Sequence, residues 1–156
     1  MAKSAEQMKD DNDRTTPMGL FNLAEAYRLS AMRLQASPVK AGHAESPLRF
    51  LYYHALELYL KALLRQKYSV RTLSSKKFGH KIQRLVKKAE QLDLEIEDED
   101  REVFSLVADT DTVIEARYIR TGFKSLPPLE GLKRASENVR NHVGARLREL
   151  GVMVRL

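Results

Sequence analysis

Three residues on one apolar stretch carry side chains that could do chemistry together. His54 and Glu57 lie three positions apart, and Lys61 follows Glu57 by four. A His and a Glu at this spacing occur in di-iron bundles, which also need a second such pair and two further Glu on facing helices. The chain offers one pair, with Glu115 as the sole other obvious helical candidate. We therefore predict no metal site, an ion pair between Glu57 and Lys61, and His54 packed near the core.

Other motifs for catalysis or cofactor binding are missing from the sequence. It has no glycine-rich phosphate loop, no His-Glu-x-x-His zinc motif and no Gly-x-Ser-x-Gly elbow, and its acids at 98–100 lack calcium-loop spacing. The absence of Cys excludes disulfides and thiolate nucleophiles and suits a reducing cytosol. The polar N-terminus is unlike a signal peptide, and no apolar run approaches the roughly 20 residues of a membrane span. We expect a cytoplasmic protein with no cofactor and no membrane partner.

Charge is unevenly distributed along the chain. The net charge is +6, and residues 61–88 hold ten Lys or Arg without an acid. Residues 90–102 then hold eight acids against one Arg, and residues 121–156 hold seven bases against three acids. A basic block of this kind is the electrostatic footprint of polyanion binding. The alternative is that these cations solvate helix faces and offset the acidic block.

Apolar periodicity and capping residues predict an all-α domain of four or five helices. Seven Gly and five Pro are too few for the turns of a many-stranded sheet. Thr16 and Pro17 predict one helix start, Ser46 and Pro47 the next, and Gly151 is predicted as the C′ residue of the last helix. A disordered lead-in (residues 1–16) and a C-terminal tail (152–156) flank the predicted domain at 17–151. The predicted helices cover residues 18–36, 47–68, 80–92, 97–117 and 128–150, with a break at Gly122.

The second predicted helix is apolar almost all round. A broad stripe has spacings of three and four, and further apolar side chains fall off it. Such a helix is either central or has two burial surfaces, and this is a first indication of a dimer. The stripe comprises Leu48, Leu51, Tyr52, Ala55, Leu56, Tyr59, Ala62 and Leu63, and the other apolar residues are Phe50, Tyr53, Leu58, Leu60 and Leu64.

The third predicted helix is basic enough to serve as the recognition helix of a helix-turn-helix DNA reader. A long basic loop, residues 69–79, precedes it in place of the tight turn which that motif uses. We therefore do not favour this class of protein.

Three segments follow one another in an order that is typical of a known family. The stretch FLYYHALELYLKALLRQK contains His54, Glu57 and Lys61, and in FGHKIQRLVKKAEQL a His, His80, opens a short helix. EARY, at 115–118, precedes the loop into the last helix. In this order and spacing the segments, within residues 20–150, resemble the HEPN family (higher eukaryotes and prokaryotes nucleotide-binding domain).

The resemblance implies an antiparallel up-down bundle that often dimerises. It also implies one of two roles. Some members of the family are metal-independent ribonucleases of toxin–antitoxin or defence systems. Others are non-catalytic modules associated with RNA or nucleotides, often partnered with a minimal nucleotidyltransferase.

The nuclease members carry an Arg, often followed by a polar residue, and a His after four to six intervening positions. In such a pair the His moves the 2′-hydroxyl proton and the Arg holds the phosphate charge. Arg140 and Asn141 match the start of this motif, but residues 145–147 contain no His, and none follows Arg117 at 121–124. His142 lies two positions after Arg140, about 200° around the helix, so the two cannot converge from one face. His142 and Arg146 do share a face, and two copies could form a composite basic cleft.

These observations favour a non-catalytic, dimerising HEPN-like module that binds an RNA or nucleotide polyanion, or a partner protein such as a minimal nucleotidyltransferase. The alternative is a metal-independent endoribonuclease with a degenerate or composite site, whose catalytic candidates are His142, Arg140 and Arg146. A third possibility is an antitoxin-like protein-interaction subunit. The predicted phosphate-binding residues are Arg140, Asn141, His142, Arg146, Arg117, Lys81 and Arg84.

Overall fold

The computed structural model describes residues 2–79, 81–110 and 126–156. These ranges contain seven α-helices and no strand, which confirms the all-α prediction. Five of the helices correspond to those predicted, and the other two, α1 and α4, were not expected. The helices are α1 (Ala5–Arg14), α2 (Pro17–Ala36), α3 (Glu45–Leu64), α4 (Val70–Leu73), α5 (Ile82–Glu90), α6 (Asp98–Thr110) and α7 (Leu129–Glu149).

The starts of α2 and α3 test the predicted caps. Thr16 caps α2 by accepting a hydrogen bond from the Gly19 amide at 3.0 Å, and Pro17 is the first helical residue, as predicted. The prediction for α3 is wrong by two residues, because the helix begins at Glu45 and Ser46 is not its cap. Glu45 stabilises this earlier start as an acid in the first turn, where the helix dipole favours it. The same helix ends at Leu64, four residues before the predicted end at 68.

Helix α3 is central to the fold. It packs against α2, α5 and α7, and its apolar side chains are buried on every side. Contacts between Phe21 and Tyr59 and between Gln35 and Tyr52 show that α2 and α3 run antiparallel. Because one chain accounts for its all-round apolar surface, α3 no longer provides an argument for a second copy. The buried apolar residues are Leu48, Tyr52, Tyr53, Ala55, Leu56, Leu58, Tyr59, Leu60, Ala62, Leu63 and Leu64.

The contacts of His54, Glu57 and Lys61 match the predicted ion pair and the predicted packing of His54. Lys61 Nζ donates to Glu57 Oε1 at 2.6 Å, and the Glu57 side chain is only 2% exposed. His54 stacks on Phe50 and meets Tyr27 edge-on, with ring centroids 5.7 and 4.4 Å apart. Across the described part of the chain, no three His, Asp or Glu side chains gather in a way that could hold a metal ion.

The N-terminal segment forms a helix where the sequence predicts a disordered lead-in. Ser4 and Gln7 make a capping box that satisfies two amides at the start of α1. Arg65, which follows α3, donates to the carbonyls of Asn12 and Thr15 at 2.7 and 3.0 Å. No residue of α1 is buried. Capping and these hydrogen bonds therefore stabilise α1, and an apolar face does not, which is why hydrophobic periodicity fails to predict it.

The later helices differ from their predicted bounds mainly at the ends. Helix α5 begins at Ile82, and His80, predicted to open it, lies outside the described residues. The last seven residues predicted for α6 and the predicted break at Gly122 also lie outside them. Gly151 has φ +84° and follows the end of α7, as predicted for a C′ residue. The 152–156 tail packs back on α7, because Arg148 Nε donates to the Val154 carbonyl at 2.9 Å and Val154 is buried.

Candidate polyanion-binding surface

Cations of α7 are neutralised by the acidic segment at 90–102. Arg134 Nε lies 3.2 Å from Asp100 Oδ1, and the other oxygen of this buried carboxylate accepts from Asn138 at 2.9 Å. Arg146 Nη2 lies 3.1 Å from Asp93 Oδ2. These two cations therefore offset the acidic block, which is the alternative to polyanion binding that the charge pattern left open.

Arg140 belongs to a half-buried cluster that joins α2, α3 and α7. Its Nε donates to Glu25 Oε1 at 2.8 Å, and Arg28 Nε donates to the same oxygen at 3.1 Å. The Tyr59 hydroxyl also donates to Glu25 and accepts from Arg28 Nε at 3.1 Å. Arg140 is therefore occupied by a carboxylate of its own chain.

The pKa values of this cluster follow from its hydrogen bonds and burial. Burial alone would raise the pKa of Glu25, but hydrogen bonds from Arg28, Tyr59 and Arg140 hold it below its ordinary value. Burial, followed by the hydrogen bond to Glu25, raises the pKa of Tyr59 far above its ordinary value. Glu25 is thus ionised and Tyr59 neutral at neutral pH, and the cluster has no group poised for proton transfer.

The sequence does not reveal this cluster. Glu25 and Arg28 are three residues apart on α2 and lie beside Phe21, Ala24 and Ala31, which form its buried side. In the sequence, two opposite charges on an otherwise apolar stripe indicate an ion pair between Glu25 and Arg28. The sequence could not identify Arg140 as the third charge, because Arg140 lies 115 positions beyond Glu25 in the chain.

His142 and Arg146 face a depression of about 260 Å³ that is rich in acids. His142 Nδ1 donates to the Glu95 carbonyl at 2.8 Å, and its Nε2 lies 3.6 Å from Glu97 Oε1. Arg146 Nη1 lies 2.8 Å from Glu149 Oε2. The lining residues are Asp93, Glu95, His142, Ala145, Arg146 and Glu149. The carboxylates of Asp93, Glu95 and Glu149 in the lining, with Glu97 beside His142, disfavour a phosphate there, so this geometry lends no support to a composite basic cleft.

The other predicted site residues on α7 do not complete a nuclease pair. Arg140 faces Glu25 of α2, whereas His142 and Arg146 face residues 92–97, so the three do not converge on one phosphate. Asn141 is exposed and accepts a hydrogen bond from Arg140 Nη1 at 3.0 Å. Arg117 lies outside the described residues.

The remaining two predicted residues, Lys81 and Arg84, belong to a different surface. Of the ten bases at 61–88, Lys61 pairs with Glu57, Arg65 holds α1, and Lys88 donates to Gln91. The other seven are exposed, and none forms an ion pair with a described residue. We call these seven the basic surface: Lys67, Arg71, Lys76, Lys77, Lys81, Arg84 and Lys87.

Helix α5 and the turn before it position five cations of the basic surface, whereas Lys67 follows α3 and Arg71 lies on α4. Lys81, the residue before α5, is followed at intervals of three by Arg84 and Lys87, which lie opposite the buried apolar side of the helix. Arg84 Nη1 donates to the carbonyls of Lys76 and Lys77 at 3.3 and 3.4 Å, which brings the turn beside α5. Helix amphipathicity thus turns an acid-free segment of sequence into a charged surface.

The basic surface lacks an exposed aromatic side chain among the described residues. Its nearest aromatic residues, Tyr68 and Phe78, pack on each other with ring centroids 4.8 Å apart; Phe78 is buried and Tyr68 is half-buried. Proteins that hold single strands by their bases use exposed aromatic rings as stacking platforms. The described surface is suited to contacts with phosphates.

Comparison of the chain with protein-family models, curated proteins and solved structures finds no match. Among the described helices, none combines the length and the apolar composition needed to cross a bilayer.

Proposed function

We propose that this chain is a non-catalytic HEPN-like helical bundle that binds RNA through its basic surface. The observation that carries the proposal is the set of seven exposed cations without an ion-pair partner among the described residues. The HEPN part of the proposal rests on the sequence resemblance, whose segment HALELYLKALL lies in α3.

The proposed binding is electrostatic and independent of base sequence. Each Lys or Arg that meets a phosphate releases a condensed counterion, so affinity falls as salt rises. With four to seven of the cations engaged, we expect a slope of log K against log salt of roughly −3 to −6. Without an aromatic platform, binding should discriminate little between base sequences of the same length and structure.

Catalysis is the less favoured alternative. A metal-independent ribonuclease needs a His and an Arg directed at one phosphate, and here the candidate residues of α7 are directed at carboxylates and carbonyls of the same chain. A minimal nucleotidyltransferase or a toxin-like protein as partner stays a prediction from the resemblance.

Binding is tested by titrating a fluorescently labelled RNA hairpin in EDTA at several salt concentrations. The variant Lys81→Ala/Arg84→Ala/Lys87→Ala removes the α5 part of the basic surface. Its matched control, Lys40→Ala/Lys133→Ala/Arg155→Ala, lowers the net charge from +6 to +3 in the same way but leaves the basic surface intact. We expect the first variant to flatten the salt slope by about 2–3 and the control to leave it unchanged.

The same mixtures, run on native and denaturing gels, separate the alternatives. A shifted but intact RNA supports the binding module. Cleavage that is lost in His142→Ala would establish the ribonuclease instead. Equal weakening by both triple variants would show that total charge, and not this surface, drives binding. Neither shift nor cleavage would refute both RNA hypotheses and favour a protein partner.

A further inference from the structure

One side of α2 is exposed and nearly free of charge. The opposite side packs against α3 and α7. On the exposed side, Leu23 and Leu29 are 47% and 52% exposed, no acid is present, and Arg33 is the one charged residue. We call this the α2 face; its residues are Met18, Gly19, Asn22, Leu23, Ala26, Leu29, Ser30 and Arg33.

The central residues of the α2 face are arranged symmetrically about Ala26. Leu23 and Leu29 lie three positions before and after it, and Asn22 and Ser30 lie four positions away on either side. These intervals of three and four place all five residues on one side of the helix. A two-fold axis through Ala26 would therefore set each apolar residue against an apolar one and each polar residue against a polar one.

The arrangement fits a second copy of this helix better than an unrelated partner. In an antiparallel pair centred on Ala26, Leu23 of one copy meets Leu29 of the other, and Asn22 meets Ser30. Contacts of this kind, in which the same patch serves both copies, are the rule at two-fold interfaces. An unrelated partner would impose no symmetry on the order of the residues.

Charge selects the antiparallel orientation. Gly19 and Arg33 lie seven positions on either side of Ala26, so each long Arg33 side chain would cross the small Gly19 of the other copy. The two Arg33 residues would then be 14 positions apart along the pair, about 21 Å. A parallel pair would instead place Arg33 directly against Arg33. The α2 face also shares no residue with the basic surface, so pairing leaves those cations exposed.

We propose that two copies of this chain associate through an antiparallel contact between their α2 faces, centred on Ala26. The proposal does not depend on RNA binding. The contact strip, residues 18–33, is about 24 Å long and 10 Å wide, so two copies bury about 480 Å² between them. Stable interfaces bury roughly 1,200 Å² or more, so the dimer is weak and its population rises with protein concentration.

Sedimentation velocity of the full chain over a wide concentration range tests the proposal with charge variants at the axis. Ala26→Glu and Ala26→Lys each place two like charges together across the axis, so we expect each variant alone to be monomeric. An equimolar mixture of the two variants restores the dimer, because the introduced carboxylate meets the introduced ammonium only if position 26 faces itself. Ser105→Glu, on the exposed side of α6, is the control and should dimerise like the unmodified chain.

A second test uses the absence of Cys from the chain. Ala26→Cys provides a single thiol on the two-fold axis, and mild oxidation should give a disulfide-linked dimer. Ser105→Cys is the matched single-thiol control and should remain mostly unlinked. A chain that stays monomeric at every concentration would overturn the proposal. So would a dimer that both charge variants leave intact, or cross-linking that is equal at positions 26 and 105.

Discussion

The substitution Glu25→Gln tests whether one carboxylate holds α2, α3 and α7 together. The side chains of Arg28 and Arg140 are 9% and 17% exposed and both donate to Glu25, which is itself 19% exposed. Removing one partner from a buried ion pair costs about 3–5 kcal/mol. Gln keeps an oxygen acceptor and the site is partly open to water, so we expect a loss of about 2 kcal/mol. For a chain of this size, this lowers Tm by roughly 4–8 °C.

The pH dependence of this loss provides the sharper test. Since the pKa of Glu25 in the folded chain lies below its ordinary value of 4.5, its charge stabilises the fold fully above that value. The stabilisation is lost as pH falls through the folded pKa. The difference in unfolding free energy between the unmodified chain and Glu25→Gln should therefore be largest near pH 7 and shrink towards pH 3.

Urea unfolding followed by circular dichroism at both pH values measures this difference. Glu137→Gln is the matched control, because Glu137 is exposed on α7 and forms no ion pair with a described residue. It should change the unfolding free energy by less than about 0.5 kcal/mol. If Glu25→Gln lowers the unfolding free energy as little as Glu137→Gln does, the role assigned to the Glu25 charge is refuted. The same holds if the loss of unfolding free energy is equal at pH 7 and pH 3.

Three further substitutions test other contacts. Asp100→Ala leaves the Arg134 guanidinium and the Asn138 amide of α7 without the carboxylate that they bind, and should lower the unfolding free energy in urea by about 2–3 kcal/mol. Asp98→Ala, at an exposed neighbouring position, should lower it little. Arg65→Ala removes the donors that hold α1 and should speed amide hydrogen exchange at residues 5–14, whereas Arg71→Ala should leave that exchange unchanged. His142→Ala should leave RNA affinity within about twofold of the unmodified chain, because acids surround this side chain; a larger loss would return the α7 depression to consideration as a phosphate site.

The sequence predicted the helices that bury a periodic apolar face and missed α1, which buries no residue, and α4, which is a single turn. Helix α3 is apolar almost all round, and Thr16 with Pro17 fixes the start of α2, so periodicity and capping sufficed there. Helix α1 buries no residue and α4 is a single turn, so neither has an apolar pattern to detect. Helix α1 forms through its capping box and long-range hydrogen bonds from Arg65, and α4 through the Ser69 cap and a hydrogen bond from the Val70 amide to Asn12 Oδ1. Hydrophobic periodicity detects none of these contacts.

The charge pattern of the sequence predicts the candidate surface. It does not predict which of the cations pair with carboxylates of the same chain and which lie exposed. Lys81 and Arg84 belong to a stretch without acids, so their exposure without a carboxylate partner follows from composition and helix amphipathicity. Arg140 and Arg146 looked equally available in the sequence. Their partners, Glu25 and Asp93, lie 115 and 53 positions away, and only the packing of α7 against α2 and against the segment before α6 reveals them.

The central position of α3 has a consequence for how the protein unfolds. Because α2, α5 and α7 each pack on α3, none of these three helices can separate without uncovering apolar surface on that common neighbour. We expect these four helices to melt as one cooperative unit with coincident transitions by different probes. Helix α1, which buries no side chain, should open independently and at far lower cost, so proteases should trim the chain to near Thr15 while the bundle stays intact.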